Sequence, residues 1–389
     1  MSGGPDAVTL AVRAGLESDA ETGAVVPPIH LSTTYAFRGF EDKRAYDYSR
    51  SGNPTRDLLA RALADLEGGV GATVVATGMA AITLVGHLLP VGARIVAPHD
   101  CYGGTYRLFD AWRSRGELHC DFVDFADEQA VRAALQQPAA LLWIETPSNP
   151  LLRITDIAHF AQLGHAAGAL VVVDNTFLSP LWQKPLGLGA DIVLHSTTKY
   201  LNGHSDVVGG AVIAATQALH ERLSWWANCL GLTGGAFDSY LTLRGLRTLN
   251  ARLDHHGRNA SQLAAWLQSQ PGVKRVFYPG LATHPGHAIA VRQQRGFGAI
   301  VTLEIEGGHA AVRALVSQMK FFSLAESLGG VESLVAHPAT MTHAAMDPQA
   351  RARAGLTDGL LRLSVGIEAY DDLRNDLAAG LERARRASR

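Results

Sequence analysis

The sequence predicts an α/β fold: a mainly parallel central sheet, a smaller α+β C-terminal domain and an extended N-terminal arm. Three features carry that expectation. Seven short apolar runs recur between about residues 72 and 215: ATVVA, ARIVAP, CDFVDF, ALLWIETP, ALVVVDNT, ADIVLHST and GGAVIAA. They are uninterrupted rather than alternating, as in strands buried on both faces. Amphipathic stretches lie between them, for instance 157–167, which makes a βαβ series. Beyond about residue 248 the texture changes. AIVTLEIE (299–306) and LRLSVGIE (361–368) alternate, the pattern of half-exposed antiparallel strands.

Each element follows from local chemistry. The first fifty or so residues hold Gly, Pro, Thr and aromatics without sustained periodicity and end in YDYSRSGNPT. Such an arm buries itself poorly and is expected to pack on a neighbouring subunit. A helix starts at Asn53-Pro54, since Asn suits the N-cap and Pro the first helical position. Leu58, Leu59, Ala62, Leu63 and Leu66 then recur at helical spacing, and Gly68-Gly69 ends the helix. The stretch 68–93 holds no Asp, Glu, Lys or Arg and is long enough to span a bilayer. Its glycines, Pro90 and His87 divide it instead into a strand (72–76), a turn at Thr77-Gly78 and a buried helix (79–89). Leu373, Leu377 and Leu381 mark a final helix with Asp371 as its cap. The expected divisions are an arm (1–52), a large domain (53–248) and a small domain (249–389).

Composition narrows the function. The 389 residues allow two to three domains. Hydrophobic residues make up 47% and charged residues 18%, against a usual charged share of about 25%. This excludes a disordered chain and points to surface hidden in an oligomer. A formal net charge of −2 provides no global basic field for nucleic acid or an anionic membrane. Cys101, Cys120 and Cys229 are odd in number and lack a CxxC pair, so neither a disulfide framework nor a zinc site is expected. Each is read as a small buried side chain in a reducing, cytoplasmic setting. The N-terminus lacks the pattern of a signal peptide.

In parallel α/β sheets ligands gather at the carboxyl ends of strands, and three such ends are informative. In DIVLHSTTKYLNGHS a strand runs into Ser196, Thr197, Thr198 and Lys199, then a glycine-containing turn. A lysine placed there, after two hydroxyl residues able to hold a phosphate, can form a Schiff base with a carbonyl cofactor. In ALVVVDN, Asp174 stands at a strand end, where a carboxylate can pair with a protonated pyridine nitrogen. Thr77-Gly78-Met79 opens a helix, and N–H groups at a helix N-terminus bind phosphate. Together these are the minimum parts of a pyridoxal phosphate site. No GxGxxG, Walker A, HExxH or metal-spaced His pair competes with them, and no metal is expected. Tyr102 precedes Gly103-Gly104, which leave room for a ligand. Arg362 alternates with Leu361 and Leu363 and so faces the polar side of its strand beside Ser364; its planar guanidinium suits a carboxylate.

The stretches VVPPIHLSTTY, YDYSRSGNPTR, ATGMAA, APHDCYGGTYRLFD, ETPSNPLL, VVDNTFLSP, LHSTTKYLNGHSDVVGG, GGAFDSYLTLRGLRTL and LAESLGGVESLVAHPATMTHA resemble the Cys/Met-metabolism family of pyridoxal-phosphate enzymes. The resemblance covers nearly the whole chain. It implies the aspartate-aminotransferase-like fold (type I), pyridoxal 5′-phosphate as cofactor, amino-acid substrates, and a homotetramer built from active dimers. It also implies roles. Lys199 would link to the cofactor's aldehyde and later shuttle protons, and Asp174 would pair with the pyridine nitrogen. Ser196, Thr198, Gly78 and Met79 would hold the phosphate, and Tyr48 and Arg50 would reach that of the adjacent subunit. Tyr102 would stack on the ring and assist the incoming amino group, and Asn149 would contact the 3′ oxygen. Arg362 would clamp the substrate α-carboxylate. Arg44, Asp47, Arg107, Asn228, Glu326 and Ser327 would line the rest of the substrate pocket, Arg107 and Arg44 receiving a succinyl carboxylate. Gly104 of YGGT stands where methionine-cleaving members carry a cysteine, and Glu326 where β-eliminating members usually carry an aromatic. The implied reaction is γ-replacement on O-succinylhomoserine by cysteine. Elimination from the thioether product and sulfhydrylation of homoserine esters are the alternatives.

Overall fold

The computed structural model describes residues 4–342, 349, 351 and 354–388. Among them twelve strands follow in chain order. They are β1 (Gly71–Val75), β2 (Arg94–Pro98), β3 (His119–Val123), β4 (Leu141–Glu145), β5 (Leu170–Asp174), β6 (Ile192–Ser196) and β7 (Gly210–Ala214). Then come β8 (Val273–Phe277), β9 (Ile300–Ile305), β10 (Ser323–Leu324), β11 (Leu334–Ala336) and β12 (Leu360–Ser364). All seven apolar runs of the sequence form strands. The chain divides into two compact units, Met1–Val91 with Leu170–Asn250 and Gly92–Ala169 with Ala251–Arg389.

In the first unit, β5 and β6 are parallel, with Asp174 opposite Leu194. β7 runs antiparallel to both β6 and β1, an exception that a mainly parallel sheet leaves room for. The reason is connection length: Ser196 and Gly210 are register partners joined by a loop without a crossover helix, and a parallel return needs such a crossover. Helix Pro54–Glu67 forms as the sequence predicts. The Asn53 side chain accepts from the Thr55 and Arg56 N–H groups, and Gly68 closes the helix at φ +80°. Its Leu59, Leu63 and Leu66 are buried. Helix Gly78–Gly86 follows β1 directly, and Thr77 is its N-cap. The arm is largely irregular and exposed. It contains a short helix, Ala7–Val12, capped by Asp6, and an isolated bridge Thr34↔Tyr48.

In the second unit, β2 pairs in parallel with β3 and with β4, and helix Ile157–Ala166 follows β4. A five-stranded sheet has the order β10-β11-β12-β9-β8. β12 is antiparallel to β9 and β11, as the alternation predicts. The expected half-exposure is corrected: β12 is buried at every residue and β9 at all but Glu304. Helices Gly308–Val316 and Tyr370–Ala387 pack against each other, and the former packs on β9 and β12. The polar residues on β12 bond other protein groups: Arg362 donates to Asn149 Oδ1 and the Ser327 carbonyl, and Ser364 Oγ accepts from the Gly329 N–H. Asp371 is not the cap of the last helix either; it lies in the first turn, after Ala369, and pairs with Arg374 at 3.1 Å. No helix among the described residues is long and apolar enough to cross a membrane. Cys101 and Cys120 are buried as expected, but Cys229 is exposed near the end of helix Gln217–Leu230.

Candidate active site

The first unit brings together Asp174, Ser196, Thr198, Lys199, Gly78 and Met79. Asp174 ends β5, and its carboxylate accepts from the Thr176 N–H at 3.0 Å. The Thr176 hydroxyl accepts from the Ser196 N–H at 2.9 Å, so one residue bridges the two strand ends. Burial pushes the Asp174 carboxyl up, while the Thr176 hydrogen bonds and the charges of His195 and Lys199 oppose that rise. A cation against the carboxylate would add to that opposition. Beyond Ser196 the chain turns sharply. The Lys199 N–H reaches back to the Ser196 carbonyl at 3.3 Å, and the Gly203 N–H bonds the Lys199 carbonyl at 2.8 Å. The Thr198 hydroxyl is engaged with the Gly209 backbone, donating to its carbonyl (3.2 Å) and accepting from its N–H (3.0 Å). In this structure Thr198 closes the loop that carries Lys199.

A close-packed cradle adjoins Ser196. Thr77 Oγ1 accepts from the Ala80 N–H at 2.8 Å, and the Ala81 N–H bonds the Thr77 carbonyl at 3.1 Å. The Gly78 and Met79 N–H groups are therefore the ones for which the first turn has no acceptor. A Cβ on Gly78 would lie 2.8 Å from Ser196 Cβ and 3.0 Å from its Oγ. A Cβ on Gly210 would lie 2.2 Å from the Thr77 carbonyl oxygen. Only glycine at both positions lets the helix start, β6 and β7 approach this closely. The result is two backbone donors and a hydroxyl at the positive end of a helix, a suitable seat for phosphate.

The second unit gathers Tyr102, Arg107, Asn149, Glu326, Ser327 and Arg362. Arg362 on β12 is 3% exposed. It donates to Asn149 Oδ1 at 3.0 Å and to the Ser327 carbonyl at 2.7 Å. Ser327 has φ +92°, a strained conformation for a residue with a side chain, held here at a predicted substrate position. Tyr102 precedes helix Gly103–Ser114 and supplies no side-chain cap. Its N–H donates instead to the buried Glu145 Oε2 at 2.8 Å, a remote carboxylate at the helix N-terminus. Burial pushes the Tyr102 phenol up, Arg107 and Arg362 opposing and Glu326 and Glu145 adding. The phenol therefore stays protonated at neutral pH.

Arm residues take separate places. The Arg50 guanidinium lies 5.6 Å from the Tyr48 ring centroid, and Arg50 Nε donates to Asn228 Oδ1 at 3.0 Å. The Lys43 ammonium and Ser51 hydroxyl hold the Asp47 carboxyl down at about 2. Arg44 donates to the Ala36 carbonyl at 3.0 Å. Sequence reasoning missed Glu67, His195, Glu145 and Thr176. A signal existed for two of them. His195 is a polar residue inside the run IVLHS, and Glu67 follows Leu63 by four residues on the buried face of its helix.

The strand ends, lysine turn and glycine cradle define an α/β enzyme of the pyridoxal-phosphate class. The residues fit the cofactor: Gly78 and Met79 N–H and Ser196 for its phosphate, Asp174 for its ring nitrogen, Lys199 for its aldehyde. Comparison with known proteins agrees. The family model described as Cys/Met metabolism PLP-dependent enzyme matches residues 8–382. The chain belongs to this family, and its cofactor is pyridoxal phosphate. It is 57% identical over 377 residues to a cystathionine gamma-synthase of Escherichia coli K12, covering 97% of this chain and 98% of that protein. It is 48% identical to a cystathionine beta-lyase of Coxiella burnetii, over 96% of this chain and 97% of that one. A crystal structure of cystathionine gamma synthase from Xanthomonas oryzae pv. oryzae, in complex with aminoacrylate and cysteine, is 59% identical. It covers 99% of this chain and 100% of its own with a TM-score of 0.98. A cystathionine gamma-lyase from Lactobacillus plantarum complexed with L-serine is 41% identical, with a TM-score of 0.95 over 98% of this chain and 100% of its own.

Proposed function

We propose that the chain catalyses γ-replacement, converting O-succinyl-L-homoserine and L-cysteine to L-cystathionine and succinate. The observation that carries the reading is the order of likeness. Of the four relatives described above, the two synthases stand at 57% and 59% identity and the two lyases at 48% and 41%. When bound, pyridoxal phosphate holds the substrate's amino group and withdraws electron density from Cα, so that protons on Cα and Cβ become removable. Gly78, Met79 and Ser196 seat the phosphate, and Asp174 keeps a proton on the ring nitrogen. Lys199 Nζ takes the Cα proton and then moves protons at Cβ. The Arg362 fork, held from behind by Asn149 and Ser327, takes the α-carboxylate. Arg107 and Arg44 receive the succinyl carboxylate, with Asp47, Asn228 and Glu326 lining the remainder. The Tyr102 phenol, kept protonated by burial, donates a hydrogen bond. The Cγ–O bond breaks to release succinate and the cysteine sulfur forms the Cγ–S bond; the protons taken from Cα and Cβ return to those carbons, and the thiol proton leaves with succinate.

The same reading takes residues 1–52 as an arm reaching a second copy, where Tyr48 and Arg50 would complete the phosphate seat. Residues 53–248 and 249–389 are then the large and small domains, and the assembly is a cytoplasmic tetramer of active dimers. Exposed Leu31, Phe37 and Phe40 on the arm support it, since such side chains gain from being covered. A substrate matrix tests the reaction: succinyl and acetyl homoserine esters with and without cysteine, beside cystathionine alone. Cystathionine formation from the succinyl ester should be fastest. Cleavage of cystathionine outrunning its synthesis would replace the proposal with the lyase reading that the Coxiella and Lactobacillus relatives favour.

A further inference from the structure

A buried polar cluster lies behind Asp174 and Ser196, and the proposed reaction does not use it. Glu67 ends helix Pro54–Glu67. Its side chain is 0% exposed and that of His195, its partner on β6, is 1% exposed. Glu67 Oε1 accepts from His195 Nε2 at 2.6 Å and from Asn175 Nδ2 at 2.9 Å. Asn175 is locked in turn: its Nδ2 donates to the Gln183 carbonyl at 2.9 Å, and its Oδ1 accepts from Gln183 Nε2 at 3.0 Å. The second oxygen, Glu67 Oε2, is buried without a hydrogen-bond partner.

A carboxylate is unfavourable at this place. It faces the negative end of its own helix and has lost its water. An apolar side chain of similar size would be easier to bury. What the carboxylate provides is a fixed acceptor for two donors, and each donor adjoins a cofactor residue in sequence. Asn175 follows Asp174, and His195 precedes Ser196. Successive side chains on a strand face opposite ways, so holding His195 on one face sets Ser196, and the turn to Lys199, on the other. His195 is also close enough to Asp174 to act on its ionisation.

We propose that Glu67 is a positioning residue for the cofactor: through Asn175 and His195 it fixes the placement of Asp174 relative to Ser196 and Lys199. The inference rests on the assignment of Asp174 and Lys199 made above. Both bonds end on one oxygen, which gives a clean test. Glu67→Gln keeps an acceptor oxygen and removes the charge; Glu67→Leu removes both bonds at similar volume. The purified holoproteins are compared for pyridoxal phosphate release and refilling, the pH midpoint of the bound cofactor's absorption band, thermal unfolding, and kcat and KM. The Leu variant should hold the cofactor about tenfold more weakly, the effect of losing one hydrogen bond to a charged group. Its midpoint should move by about one pH unit, with kcat falling more than KM. The Gln variant should stay within about threefold of the parent. A Leu variant with a lower unfolding temperature but unchanged cofactor affinity, midpoint and kcat overturns the proposal. So does a Gln variant as weak as the Leu one, because charge and not the bonds would then act. If Glu67→Leu does not fold, His195→Gln and His195→Leu decide. Gln places a donor near Nε2 and should retain the cofactor where Leu weakens it; equal, parent-like binding in both overturns the proposal. Asp174→Ala separates this from the parent reading. Unchanged affinity in that variant sinks the role of Asp174, whereas weakening there beside an unaffected Glu67→Leu sinks only the role of Glu67.

Discussion

The residues that would hold the cofactor stand at strand ends and a helix start packed closely through backbone, whereas those that would hold the substrate, on β12 and on loops, are fastened mainly by side chains. In the first unit, Asp174, Ser196 and Lys199 follow directly from β5 and β6. Gly78 and Gly210 allow the helix start and β7 to press against them. In the second, Tyr102 leans on Glu145, and Arg362 on Asn149 and the strained Ser327. The contrast has a chemical sense. A cofactor common to a family calls for a seat that does not change, and seats made of backbone resist substitution. Substrate preference calls for contacts that single side chains can alter.

Four experiments, in descending size of effect, would break or sharpen that contrast. Lys199→Ala should lower kcat by about 10³-fold or more, the range expected when a general acid–base group is lost. It should also abolish borohydride-fixed cofactor labelling. Turnover at the parent rate would end the proposed role of Lys199. Gly210→Ala drives a methyl into the Thr77 carbonyl and should weaken pyridoxal phosphate binding by about 100-fold, the scale of an ångström-sized misplacement. An absorbance titration reads it, and normal binding would show that the cradle is not backbone-limited. Arg362→Lys keeps the charge and loses the fork. It should lower kcat/KM by about 10- to 100-fold, as expected for one or two charge-assisted hydrogen bonds, and spare cofactor binding. Cofactor loss in that variant would mean the two sets of residues are not separable.

The fourth concerns pH. Burial lowers the His256 pKa to about 4, and its Nδ1 bonds the Val365 carbonyl at 2.7 Å. Between that value and the ordinary one near 6.5 the unfolded chain binds more protons than the folded one. Stability is therefore intact above about pH 6.5 and falls as pH drops towards 4, by on the order of 3 kcal/mol for this group. Urea unfolding of His256→Gln should show a shallower acid slope than the parent.

Much of the cofactor seat was legible because its signals are local. Asn53-Pro54 and Gly68 bracket a helix, Thr77-Gly78 opens another, and Asp174 and Lys199 each follow an apolar run within a few residues. What was not legible depends on distant partners. Whether β12 is half-exposed is decided by helix Gly308–Val316, which is remote from it in sequence. The sequence separations of 213 between Asn149 and Arg362, and of 128 between Glu67 and His195, leave no spacing to read. The direction of β7 turned on the absence of a crossover helix, which apolar runs alone do not report. Asp371 looked like a cap because Asp favours helix starts, and it does sit in the first turn, two positions beyond the cap Ala369.

The lysine loop offers an opening for protein engineering. Its neck is sealed by the Ser196↔Gly210 pair, the Thr197 N–H to the Gly209 carbonyl at 3.0 Å, and the Thr198 hydroxyl. Its outermost residues, His204, Ser205 and Asp206, are exposed. Lengthening a loop already closed at its base adds little entropy, since each doubling costs only about 0.6 kcal/mol. A short peptide or dye-bearing insert at that tip would hang from a sealed ring. It would place a label a few residues from Lys199 with the base of the loop undisturbed.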